Sequence, residues 1–133
     1  MAETANTPAI VEYASEAGFE QTLGRLVELI YDAGMNVFAR IDHAAGARSV
    51  GLDMPPTVLL LYGHPRGGTP IMRAFPLAAL ELPLRVLVRQ DSEGRTRVSF
   101  HPIVPWLAEL GVPAELASPL ETAQRLLLQA VRS

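Results

Sequence analysis

Thr57-Val58-Leu59-Leu60-Leu61-Tyr62-Gly63-His64-Pro65-Arg66-Gly67-Gly68-Thr69-Pro70 is the stretch on which the fold turns. Its first part, 57–62, is a near-continuous apolar run, which reads as a strand buried on both faces or central in a sheet. The glycines and prolines that follow end the strand and deliver the chain to a helix. Thr69 is suited to cap that helix, with Pro70 at its first position, where a missing N–H costs nothing. The helix would carry Ile71, Met72 and Phe75, and Pro76 would break it before a restart over 77–80.

Upstream, residues 1–8 are small and polar and are expected to fray. Residues 9–13 alternate weakly and suggest a first strand. From Ser15 or Gly18 to Ala33 the period changes, with Phe19, Leu23, Leu26, Val27 and Ile30 forming one helical stripe. Gly34 supplies the stop expected just past a helix end. Residues 36–41 alternate again as a second strand. A connector follows over 44–56, with one turn of helix at 44–48 and a close at Pro55-Pro56.

Downstream, 84–90 and 95–100 read as strands joined through Asp91-Ser92-Glu93-Gly94, a hairpin. Residues 105–110 suggest a short helix ended by Gly111. Ser118-Pro119-Leu120-Glu121 has the form of a capping box opening a last helix. Leu120, Ala123, Leu126, Leu127, Ala130 and Val131 give that helix a wide apolar face that must dock on something. The order is β-α-β-β-α-β-β followed by helices. That pattern predicts an α+β two-layer sandwich, with helices packed on a mainly antiparallel sheet.

Composition narrows the function classes. The chain has 133 residues, 49% hydrophobic and 19% charged, enough for one domain with its own core. A formal net charge of -3 gives no electrostatic footprint for nucleic acid. Without cysteine there is no disulfide framework, thiol nucleophile or Cys-based metal site. The start lacks a signal-peptide pattern, and the apolar run 58–61 is far short of a membrane span. A soluble cytoplasmic protein, without membrane contact, is the expectation.

Two residue groups could carry chemistry. Helical crossovers normally join parallel strands and hairpins antiparallel ones. On that rule strands one, two and five run one way, and three and four the other. Asp42, His43, Glu81, Arg85 and His101 would then share one end, with His64 at the opposite end. A carboxylate beside His43 could fix its tautomer and raise its basicity. Two histidines with a carboxylate could instead hold a divalent metal. Set against this, Asp42 could simply cap the next turn and leave His43 as a loop residue. At the other end, Arg66, Gly67, Gly68 and Thr69 precede the expected helix start and could hold an anion on backbone donors. The pattern is neither a P-loop nor a dinucleotide fingerprint, and a plain strand-to-helix turn is the favoured reading of it. Trp106, Leu107 and Leu110 fall on one helical face and read as core or interface. Tyr31 and Tyr62 are expected to pack with hydroxyls at the rim. Arg85, Arg89, Arg95 and Arg97 read as a solvated or edge-protecting face.

Several segments together resemble the domain-of-unknown-function family 302. They are Phe19-Glu20-Gln21-Thr22, Ile41-Asp42-His43 with Ala47 beyond, and residues 52–57. To these are added Leu61-Tyr62-Gly63-His64-Pro65, Gly68-Thr69-Pro70-Ile71-Met72, and Leu80-Glu81-Leu82-Pro83-Leu84-Arg85-Val86-Leu87-Val88. The resemblance covers residues 10–100 and is looser beyond. It implies a single domain over 1–133, with a family-like core at 9–101 and a helical extension at 102–133. It also implies a homodimer, and no particular activity. His64 stands where the family often has Asn, Glu81 where it usually has Asp, and Phe100-His101 where a Tyr-Asn pair is common. Three readings follow. The chain is a homodimeric small-ligand-binding or accessory domain; or it binds a metal or haem through His43, His64 or His101; or it is an enzyme with His43 as general base.

Overall fold

The computed structural model describes residues 9–132, so the fraying expected at 1–8 lies outside the described residues. The elements in order are β1 (Val11–Ser15), α1 (Phe19–Asp32), β2 (Asn36–Asp42), α2 (His43–Ser49), β3 (Thr57–Gly63) and α3 (Pro65–Ala74). A 3-10 turn (Pro76–Leu80) leads to β4 (Leu84–Gln90), β5 (Thr96–Phe100), α4 (Ile103–Ala108), α5 (Ala114–Arg125) and α6 (Leu128–Val131). The strands form one sheet in the order β1-β5-β4-β3-β2, with every neighbouring pair antiparallel. The expected α+β sandwich is what forms.

The apolar stripe read in the first helix is the face α1 buries. Leu23, Leu26 and Ile30 lie in the core against Val58, Leu60 and Tyr62 of β3 and Val86 and Val88 of β4. Burying a Val, Leu or Ile side chain contributes roughly 1.5–3 kcal/mol, so this layer dominates the stability of the sandwich. Gly34, at φ 82°, takes the left-handed turn that ends α1, a conformation costly for any residue with a Cβ. Leu107, Leu120, Leu127 and Val131 join the same core cluster, so the C-terminal helices complete it.

Two expectations are corrected. β4 runs antiparallel to β3 beside it, with Tyr62 opposite Leu84, so strands one, two and four share one direction, and three and five the other. The crossover rule fails because α3 and the 3-10 turn run out and back, making one long hairpin between adjacent strands. Helix starts also differ. α3 begins at Pro65 and α5 at Ala114, with Pro70 and Pro119 inside them. At the second, the Glu115 carbonyl, which would have received the missing Pro119 N–H, accepts the Ser118 hydroxyl at 3.0 Å instead. Ser118 therefore compensates for a proline within the helix and does not cap its start.

A cleft where the sheet divides

The β4–β5 ladder stops at Leu87↔Ser99. Beyond it each strand stays paired with its outer neighbour, β4 with β3 down to Leu84 and β5 with β1 at Phe100↔Val11. The two strands part, and a cleft of about 240 Å³ opens between them. Leu84, Arg85 and Leu87 form one wall, Ser99, Phe100 and His101 the other, with Ile103, Trp106 and Gln124 lining it from the helical layer. Ile41, Leu59, Leu87, Ser99 and Glu12 form one cross-strand row on the sheet's outer face. That face continues to His43, which also lines the cleft, as does Glu81.

Two side chains of the cleft are committed to the protein. Buried Gln124 ties down the chain after β5: its Oε1 accepts the Ile103 N–H at 2.9 Å, and its Nε2 donates to the His101 carbonyl at 2.7 Å. The Ser99 hydroxyl donates to Glu12 at 2.7 Å, and Arg89 pairs with the same carboxylate at 3.1 Å. The Ser99 hydrogen bond, and then Arg89, hold the Glu12 carboxyl below its ordinary range. Other groups are open. Among the described residues, the buried indole N–H of Trp106 and the buried Nδ1 of His101 have no hydrogen-bond partner, although their rings meet edge to face at 4.6 Å. An indole N–H can only donate, and a buried donor without an acceptor costs about 1–3 kcal/mol.

The cleft therefore brings together His43, Glu81, Arg85 and His101, but not Asp42. Asp42 caps α2, its Oδ1 accepting the Ala45 N–H at 2.9 Å, so its carboxylate serves the backbone and does not orient His43. By strand ends alone His101 and Glu81 lie at the His64 end. The grouping with His43 comes from the cleft reaching across the outer face, a different cause from the one the strand order suggested. Among the described residues no three His, Asp or Glu side chains are grouped so as to hold a metal ion.

The Arg66, Gly67, Gly68 and Thr69 segment lies within α3, not before it. His64 is the cap: its Nδ1 accepts the Arg66 N–H at 3.0 Å, and its carbonyl accepts from Gly67 and Gly68. The donors that might have held an anion are thus used within the chain. Gly67 packs closely, since a Cβ there would lie 3.3 Å from Leu120 Cδ2. Hollows of about 530 and 460 Å³ flank His64. Tyr62, expected at the rim, is fully buried, and burial pushes its hydroxyl above the ordinary range.

Trp106 is the functional candidate the sequence reading passed over. It is the only tryptophan, five residues past His101, and its helical spacing looked like ordinary core. Nothing local marks the unpartnered N–H, which depends on where β4 and β5 separate.

A five-stranded antiparallel sheet with helices filling one face, parted between β4 and β5, defines a small α+β domain. The chain belongs to the DUF302 family, described as a domain of unknown function, whose model matches residues 11–132 and so includes the C-terminal helices. A crystal structure of an uncharacterized conserved DUF302 protein from Bacillus stearothermophilus has the same fold, with a TM-score of 0.82 and 21% identity. That likeness covers 92% of this chain and 98% of the other. Fluoride-specific ion channel FluC 1 of Brucella suis is 35% identical over 111 residues, 81% of this chain and 43% of the channel protein. FluC 1 of Brucella abortus matches at 35%, covering 81% of this chain and 41% of that protein. The chain thus spans less than half the length of these relatives, and no helix among the described residues is long and apolar enough to cross a membrane.

Proposed function

We propose that the chain is a homodimeric small-ligand-binding module that serves as an accessory domain in the cytoplasm. The observation that carries this reading is the pair of unpartnered nitrogens, on His101 and Trp106, at the cleft between β4 and β5. Folded proteins rarely leave such groups unsatisfied, and the two residues that carry them line the cleft. The dimer is supported by the outer face, where Phe38 and Ile41 are 50% and 41% exposed beside the half-buried Leu59, Leu61 and Leu87. The accessory role draws on the Brucella relatives, in which a similar segment forms part of a larger protein named as a fluoride channel. On that analogy the module's bound state is read by a partner.

Native mass spectrometry of gently purified protein tests both parts. The expected species has about twice the 14.4 kDa chain mass and retains a small molecule. A bare 14.4 kDa species at micromolar concentration, with no thermal shift across a panel of small molecules, would overturn the reading.

A further inference from the structure

The cleft also constrains what it binds, and this inference rests on the small-ligand reading above. Arg89 and Arg97 on the hairpin are paired with Glu12 and Asp91. Among the described residues Arg85 has no carboxylate within ion-pair distance, and Glu81, four residues earlier and in the same cleft, has no cation. The two do not pair with each other. One cation and one anion face a common space, with the apolar side chains Leu59, Leu87, Phe100 and Ile103 around them. The volume, about 240 Å³, is below the roughly 300–1,000 Å³ typical of drug-sized ligands.

We infer that the cleft takes a small zwitterion with an apolar body, an aminocarboxylate. Its carboxylate is received by Arg85, its ammonium by Glu81, and its body packs between Leu87 and Phe100. A pure anion would meet Glu81, and a pure cation would meet Arg85, each at the cost of an uncompensated charge. Guanidinium is well matched to a carboxylate, because its fork can donate to both oxygens at once.

Trp106 is the only tryptophan, so its emission reports the cleft without labelling. The test titrates full-length protein with leucine, with 4-methylpentanoate, which lacks the ammonium, and with 3-methylbutylamine, which lacks the carboxylate. Leucine is expected to shift Trp106 emission saturably, and each half-molecule to bind about tenfold or more weakly, as loss of a charged hydrogen bond predicts. Arg85→Gln should weaken leucine to the level of the amine, and Glu81→Gln to the level of the acid. If Glu81→Gln does not fold, the acid-to-leucine ratio in the intact protein and the exposed Arg85→Gln variant still decide the matter. If 4-methylpentanoate or 3-methylbutylamine matches leucine, the zwitterion assignment falls while the binding cleft stands. If none of the three perturbs Trp106, the zwitterion assignment falls too. If a broader small-molecule panel is also silent, the cleft is not a ligand site.

Discussion

The His64 corner and the β4–β5 cleft both combine a histidine with a strand end, and they differ in what is left over. At the corner, the His64 ring accepts the Arg66 N–H, its carbonyl accepts from Gly67 and Gly68, and Gly67 packs under Leu120; what is left over is a single hydroxyl, that of buried Tyr62, which has no partner among the described residues and carries no charge. In the cleft, His101 Nδ1, the Trp106 indole and the Arg85 and Glu81 charges have no partner among the described residues. A glycine-rich loop can resemble a binding motif while spending its hydrogen-bonding capacity on its own helix. Unsatisfied buried groups are the better pointer to a ligand, because their cost needs an explanation.

The comparison can be broken by substitution. The largest effect is expected at Gln124, which holds the far wall of the cleft. Gln124→Ala strands the Ile103 N–H and the His101 carbonyl, and should lower unfolding free energy by about 2–4 kcal/mol in urea melts. A loss under 0.5 kcal/mol would mean that the wall is not held this way. Next is the corner: His64→Ala removes the α3 cap and should cost about 1 kcal/mol, while His64→Asn, which keeps an acceptor, should stay within a few tenths. Equal losses in both variants would show that the ring matters for something other than capping. The smallest effect, of opposite sign, is expected at Trp106. Trp106→Phe deletes the unpartnered donor, so the free protein should keep or gain up to about 1 kcal/mol. A loss larger than the smaller ring's lost packing accounts for would mean that the indole N–H has a structural partner.

Much of the fold was legible because local patterns are strong. The stripe of Phe19, Leu23, Leu26 and Ile30 placed α1, and the apolar run before Tyr62 placed β3. The Asp91–Gly94 turn placed the hairpin, where Asp91 Oδ1 accepts from the Glu93 and Arg95 N–H groups at 2.9 Å each. Strand direction was not legible, since it depends on Tyr62 meeting Leu84 across a long intervening segment. The start of α3 was missed because Thr69-Pro70 resembles a cap, whereas His64 offers a ring nitrogen and Pro65 takes the first helical position. For the site, titratable side chains drew the eye to His43, Glu81, Arg85 and His101. Trp106 did not, because an orphaned indole is a property of the assembled layers and leaves no trace in spacing.

The Asp91 carboxylate also sets the mechanics of the molecule. Its Oδ2 grips Arg97 at 2.9 Å while its Oδ1 holds the turn, and these bonds, that to Arg97 foremost, keep its carboxyl below the ordinary range. Because β4 and β5 are laddered only from Leu87↔Ser99 to Gln90↔Thr96, the sheet behaves as two ribbons clasped at one end, like a pair of tweezers. Asp91 is the rivet of that clasp. The gape between the ribbons is thus set from two ends, by the Asp91 clasp at one and by the Gln124 bonds to Ile103 and His101 at the other.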